Sequence, residues 1–537
     1  MKRRLFFVAL TLPGIFRMWA QEASGQSLAG KIDEAFKPVS DFWSSVVFYS
    51  IPVAGLHIPL VLIILILGAT FFTIYFSFPQ FRLFKTAIRV VAGKYDDIDT
   101  HDSYVPAGDP LMDHPGEDIP ETIKIEGEHH GEVSHFQALS AALSATVGLG
   151  NIAGVAVAIA IGGPGATFWM ILAGLLGMAS KFTECTLGVK YRDIGPDGTV
   201  YGGPMYYLQK GLTRKGFKSL GDILAAFFAL MVIGGSFGGG NMFQANQATA
   251  QFIELFKIRN DNWRVFFGII LAFLVGIVII GGIKRIGKVA EKIVPFMAVL
   301  YVGAAIFILV AEFKFIPEAF AIIVKNAFTP MAGLGGFIGV MIQGFRRGTF
   351  SNEAGVGSAA IAHSAVKTKY PASEGIVALL EPFIDTVVIC TMTALVLVIT
   401  NIKFHLFEYG DASVNGKGVE LTAHAFDAVI PHFSIILTIA VILFAFSTML
   451  SWSYYGLQGW KFLFGRSKKT DLTYKILFLF FLVVGSSVKL GSVLDFSDAM
   501  IFAMVFPNII GVAILAPEVK EELSRYLKAI AKKDKAG

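Results

Sequence analysis

The chain has 537 residues, of which 54% are hydrophobic and 16% charged. Soluble domains carry about 25% charged residues, so this chain lacks the polar surface that a water-soluble protein of its size needs, and an all-α membrane protein is the class that remains. The 45 Lys and Arg against 40 Asp and Glu leave a net charge of +5, too slight to argue for nucleic acid, while 56 glycines point to closely packed membrane helices.

Met1 is followed by Lys2, Arg3 and Arg4 and then by an apolar run from Leu5 to Phe16, the layout of a signal peptide over residues 1–20. Arg17 and Trp19 make a poor cleavage site, so an uncleaved anchor is the alternative. The first expected span is 58–78, one helix ahead of the main body. Residues 80–137 read as a cytoplasmic loop, in which His101, His114, His129, His130 and His135 are scattered among acidic residues without metal-ligand spacing.

From Leu139 onward ten more segments are each about 20 residues or longer, enough to cross about 30 Å of hydrocarbon, for eleven spans in all. Alternate loops hold the basic residues, among them Lys210, Arg214, Lys215, Lys284, Arg285, Lys288, Lys468 and Lys469. These loops and the tail 517–537 therefore belong on the cytoplasmic side of the cell (inner) membrane, with the N-terminus outside. Cys185 and Cys390 both lie in apolar segments and read as core thiols.

Two of the ten segments are interrupted in the same way. The first runs Ser144-Ala-Thr-Val-Gly148-Leu149-Gly150-Asn151, and the sixth runs Arg346-Arg347-Gly-Thr-Phe350-Ser351-Asn352-Glu353-Ala-Gly355-Val-Gly357. Unwound backbone at mid-membrane leaves N–H and C=O groups unpaired at several kcal/mol each unless it lines a cavity or binds something. Amides freed at a half-helix N-terminus suit a carboxylate, and freed carbonyls suit a cation. Two five-helix units, 139–312 and 333–516, each opening with a broken helix, are the pattern of an inverted repeat. Gly162, Gly163, Gly174 and Gly177 read instead as sites of tight helix crossing.

The stretches Gly148-Leu-Gly-Asn-Ile-Ala-Gly, Gly162-Gly-Pro-Gly-Ala-Thr-Phe-Trp, Gly203-Pro-Met-Tyr-Tyr, Phe350-Ser-Asn-Glu-Ala-Gly-Val-Gly-Ser and Trp452-Ser-Tyr-Tyr-Gly resemble the alanine or glycine:cation symporter family. Leu149 departs from the Thr expected there. The resemblance implies a LeuT-like fold of ten core helices in a 5+5 inverted repeat with one extra N-terminal helix. It also implies a monomer in the lipid bilayer that carries a small neutral amino acid, alanine or glycine, inward with Na⁺ by alternating access and without another cofactor.

On that footing, Gly148, Leu149, Gly150 and Asn151, together with a second break at Phe350, Ser351 and Asn352, are the expected partners of the substrate's carboxylate and ammonium. Phe350 and Trp452 would wall the pocket. Gln244, in a cluster of amides, either touches substrate or bonds between helices. The sodium ligands implied by the fold are Ser144, Val147, Ser447 and Thr448.

Buried charges need partners. Glu381 and Asp385, four apart on one helix face, would be neutralised by Arg346 and Arg347 or by Lys181, which stands three residues from Glu184. If Asp385 or Glu353 titrates instead, transport is coupled to H⁺. An intramembrane enzyme is the remote alternative, and no His-Glu-x-x-His motif supports it.

Overall fold

Helices dominate because apolar stretches in an apolar solvent must pair their own backbone groups. The computed structural model describes residues 27–53, 56–100, 133–195, 199–281, 283–328, 336–410 and 417–536. The expected signal peptide and four of the five loop histidines lie outside these residues.

In chain order the helices are α1 Leu28–Val47, α2 Leu60–Tyr75 and α3 Phe84–Val91, then the bent pair α4 His135–Thr146 and α5 Gly150–Gly162, then α6 Ala166–Lys190 and α7 Lys218–Leu255. They continue with α8 Asn262–Ile279, α9 Ile283–Ala311, α10 Ile316–Phe328, α11 Gly336–Asn352 and α12 Ala359–His363. The last five are α13 Pro371–Phe404, α14 Val419–Asp427, α15 Phe433–Phe464, α16 Lys468–Ser487 and α17 Leu490–Lys535. Two small antiparallel hairpins accompany them, one pairing Ser50–Val53 with Leu56–Pro59 and the other Asp193–Ile194 with Val200–Tyr201.

Among the described residues eight helices are long and apolar enough to cross a membrane, or nine when α4 and α5 count as one span. The expected span 58–78 appears as α2, only 16 residues long, and α11 has 17 with two arginines inside it. The amphipathic helix α1 lies in a stretch that the sequence presents as polar. It packs along the first turns of α17.

Glycines set the closest approaches. A Cβ at Gly174 would meet Thr386 at 3.1 Å, and one at Gly177 would meet Ala354 at 2.6 Å, so α6 crosses its neighbours at glycine. Gly163 acts through its backbone instead, ending α5 at a φ of +71°, a conformation other residues avoid.

Buried charges tie the helices together, with pairings other than those expected. Arg346 and Arg347 do not reach Glu381 or Asp385; both bind Asp498 of α17, Arg346 through Nε at 2.6 Å. Lys181 pairs with Glu381 at 3.0 Å, and Glu184 instead accepts from Asn508 at 2.8 Å. Asp385 is held by Asn151 at 2.6 Å and by Thr386. The reason is a π-helical turn at Phe383–Cys390, whose wider winding aims Glu381 and Asp385 at different partners.

From Glu381 the chain of charges continues through His363 to Glu374 and then to His135. His135 is not a solvated loop residue: it opens α4, 5% exposed, behind the capping box of Ser134 and Gln137. Replacing Lys181 by Met would leave Glu381 with only the longer contact to His363 and cost about 3–5 kcal/mol. We expect Lys181→Met to lower the melting temperature of the detergent-solubilised protein, and Glu381→Gln added to it to recover most of the loss.

Candidate functional site

The first break is built by replacing lost backbone bonds with side chains. Beyond α4, Val147 leaves the helical region at ψ of 81°, and the chain re-enters a helix at Gly150 after a bend of 52°. The Gly148 N–H donates to Asn151 Oδ1 at 2.9 Å, and the Leu149 N–H donates to Gln244 Oε1 at 3.1 Å. Gln244 also donates to the Gly239 carbonyl at 3.0 Å, so it stabilises a π-helical turn in α7 as well. Among the described residues the Gly150 N–H and the Val147 carbonyl have no hydrogen-bond partner. A Cβ on Gly148 would come within 2.5 Å of Thr448 Oγ1, which leaves only glycine room there.

The second break falls later than expected. Phe350, Ser351 and Asn352 form the last turn of α11, and the chain unwinds from Glu353, at φ +56°, through Gly355 and Gly357, at +83° and +92°. The two glycines tolerate this left-handed backbone at no steric cost, and Glu353 is the one non-glycine residue of the stretch that adopts it. Asn352 Oδ1 accepts from the Ala354 N–H at 2.9 Å, and its Nδ2 donates to Thr386 Oγ1 at 2.9 Å. Asn508 secures the far side: its Nδ2 donates to the Gly355 carbonyl at 2.9 Å and to Glu184, while Tyr207 donates to its Oδ1.

A small cavity lies where the two breaks face each other. As it stands it has room for about one water molecule, so a larger ligand requires its walls to part. The first break contributes Thr146 and Gly150, the second Phe350, Ser351 and Glu353, and α15 contributes Thr448 and Trp452. Gln244 lines it too, while its amide also bonds between α7 and the first break.

Leu149 and Asn151 are fully buried but stand behind the lining, Asn151 bracing Gly148 and Asp385. Asn352 likewise acts through Thr386. The residues that sequence reasoning left out of the site are Ala145, Thr146, Gly239 and Ile501, and it placed Glu353 only among the buried charges. Glu353 accepts from Trp452 Nε1 at 3.0 Å and from the Ser358 hydroxyl, so the pocket's largest wall is anchored on a carboxylate. A Gly240 Cβ would collide with the Trp452 ring, so α7 makes room for that wall.

The four expected sodium ligands converge in part. Thr448 Oγ1 lies 3.2 Å from the Ser144 carbonyl, and Ser451 donates to Ser144 Oγ at 3.0 Å. The Ser447 hydroxyl turns elsewhere, donating to its own helix at Phe444 and approaching Met297. This back-bonding is the usual habit of a helical serine. What Ser447 offers toward α4 is its carbonyl, 3.4 Å from Ser144 Oγ.

Comparison with known proteins gives the family. The model of the sodium:alanine symporter family matches residues 117–536. The sodium/alanine symporter AgcS of Methanococcus maripaludis is 41% identical over 415 residues, 76% of this chain and 88% of that protein. The probable sodium/glutamine symporter GlnT of Bacillus subtilis is 36% identical over 74% of this chain and 79% of its own. Among solved structures, MhsT in complex with L-phenylalanine aligns with a TM-score of 0.49 at 17% identity, over 75% of this chain and 100% of that one. The chain therefore belongs to the sodium:alanine symporter family, as a multi-pass membrane protein that couples amino-acid transport to Na⁺ and is no enzyme.

Proposed function

We propose that the protein carries alanine or glycine into the cell with Na⁺, binding both between the two broken helices and exposing them to one side of the membrane at a time. The observation that carries this reading is the unpartnered Gly150 N–H at the wall of a small cavity that Glu353 also lines. A zwitterion needs a donor for one end and an acceptor for the other. Gly150, at the positive end of α5, meets the carboxylate; the carbonyl end of α11 and the Glu353 carboxylate meet the ammonium.

Phe350 and Trp452 then set the size of the side chain. A methylene more or less in an apolar pocket discriminates by only about 1–3 kcal/mol, so serine competes weakly and leucine is excluded by bulk. Sodium takes the carbonyls of Ser144 and Val147 and the hydroxyl of Thr448, hard oxygens for a hard cation, with Ser447 in support through its carbonyl. The two halves 139–312 and 333–516 move as repeated units about this point, with the basic loops and the tail on the cytoplasmic side and the N-terminus outside.

Proton coupling is the second reading, favoured by Asp385: it is fully buried, and its partners Asn151 and Thr386 are neutral. Uptake of radiolabelled alanine into proteoliposomes separates the two. We expect a sodium gradient to drive accumulation and a proton gradient in choline to give none; the reverse would favour Asp385 as the coupling group.

Two substitutions test the site itself. Trp452→Ala is expected to let larger amino acids such as leucine compete for alanine uptake, and an unchanged range of competitors would remove Trp452 from the wall. Thr448→Ala, which takes one oxygen from the cation, should raise the sodium concentration for half-maximal uptake by about tenfold, a coupling of roughly 1.4 kcal/mol.

A further inference from the structure

The cavity is closed on one side by two layers that its chemistry does not require. Phe350 on α11 and Ile501 on α17 form its wall. One helical turn before each of them stands a charge, Arg347 before Phe350 and Asp498 before Ile501, and these two are bonded to each other. The Arg347 guanidinium also lies 5.1 Å from the Phe350 ring centroid, directly on the wall residue.

A further step toward the surface brings Arg346 and Asp495, 3.7 Å apart. Side-chain exposure falls along this line from 48% at Asp495 and 22% at Arg346 to 3% at Arg347 and 0% at Asp498. Solvent thus reaches the outer rung and stops at the inner one. The third side is shut by α7, where a Cβ on Gly238 would stand 3.0 Å from Ser497 Cα.

The inner rung is incomplete as a structural ion pair. Arg347 and Asp498 meet through a single carboxylate oxygen, and Arg347 Nε and Nη1 and Asp498 Oδ1 are buried without hydrogen-bond partners among the described residues. Buried groups left in this state oppose the closed arrangement. Something else must hold it shut.

That holder is α1, which precedes the segment matched by the family model. Asp33 of α1 accepts from the Lys489 N–H at 3.0 Å and from the Ser492 hydroxyl at 3.2 Å, capping the start of α17. Ser40 donates to the Ser492 carbonyl at 2.7 Å, and Phe36 stacks edge-on against Phe496 at 5.1 Å. Just past α1, Phe48 packs on Phe502 and lies 4.4 Å beneath the Arg346 guanidinium. The contacts of α1 therefore run along the turns of α17 that bear Asp495, Asp498 and Ile501, and Phe48 reaches across to α11.

We propose that the Arg347–Asp498 pair is the gate between the substrate cavity and the face on which α1 lies, and that α1 with Phe48 clamps this gate closed. This rests on the cavity being the substrate site. When the clamp yields, α17 tilts from α11, the pair parts, and its two donors and its carboxylate are presented to the two ends of an incoming zwitterion. Arg347 and Asp498 are positioning residues in this scheme, and the clamp sets how often the site opens.

The test uses the full chain carrying Thr146→Cys, a cavity-lining reporter, with the parent chain and its two buried cysteines as the blank. A membrane-impermeant methanethiosulfonate is applied to right-side-out and to inverted vesicles. A closed state that opens roughly 0.1–10% of the time leaves room for a rise of about tenfold. Adding Phe48→Ala, Asp33→Asn or Asp498→Asn should give that rise from the side of α1 alone, and Asp498→Glu should return labelling toward the reporter's own rate.

Unchanged labelling in all three variants overturns the gate, and an equal rise from both sides marks a loosened bundle and overturns it too. Phe48→Ala and Asp33→Asn leave the buried Arg347–Asp498 pair intact, so they carry the test if Asp498→Asn does not fold. Protection of the reporter by alanine checks the substrate site separately: without protection but with a one-sided rise, the substrate reading fails and the gate stands.

Discussion

Backbone that stops being helical inside a bundle must find other partners, because no water is at hand to supply them. Here the replacements come from side chains. Asn151 takes the Gly148 N–H, Gln244 takes the Leu149 N–H, and Asn352 takes the Ala354 N–H. What those three amides do not satisfy is as informative as what they do. Among the described residues the Gly150 N–H and the Val147 carbonyl remain, a donor and an acceptor flanking Gly148 and Leu149, and Gly150 lines the cavity. The break is thus braced by side-chain amides that take up most, and not all, of the backbone groups it frees.

A second constraint is rotational. Three π-helical turns, at Gly150–Gly154, Gly238–Met242 and Phe383–Cys390, surround the cavity in three different helices. Each widens its helix locally and breaks the regular phase of the side chains. In α7 this brings Gly239 to the cavity while Gly240 faces Trp452. In α13 it sends Glu381 to the lysine of α6 and Asp385 to Asn151. Asp385 and Thr386 thereby touch both interrupted segments, through Asn151 on one side and Asn352 on the other.

Much of this was readable from the chain. Composition and span length give the class, and glycines accompanied by Asn151, Ser351 and Asn352 mark both interruptions, because such residues are costly at that depth unless they bind or brace something. The cavity is lined by Gly150, Gln244, Phe350, Ser351, Thr448 and Trp452, all residues that the sequence singles out. What failed did so where helical phase mattered. A regular helix puts Glu381 and Asp385 on one face, and only the π turn separates them. Arg346 and Arg347 were assigned to those acids by depth alone, but depth says nothing of azimuth, and Asp498 sits on the facing helix. The second break was placed at its polar residues, whereas the left-handed backbone begins at Glu353 and uses the glycines. Helix α1 escaped because its apolar positions are spread around an amphipathic repeat and give no continuous run.

Asn508 shows how little freedom such a structure leaves at some positions. Its two amide hydrogens go to Glu184 and to the Gly355 carbonyl, and its oxygen receives Tyr207. Aspartate has the shape but no hydrogens to give, leucine has the volume but neither function, and histidine cannot offer two donors and an acceptor at once. At this junction of four chain segments, side-chain identity is dictated by valence and not by size, so variation there would have to be accompanied by changes at Glu184 and Tyr207 together.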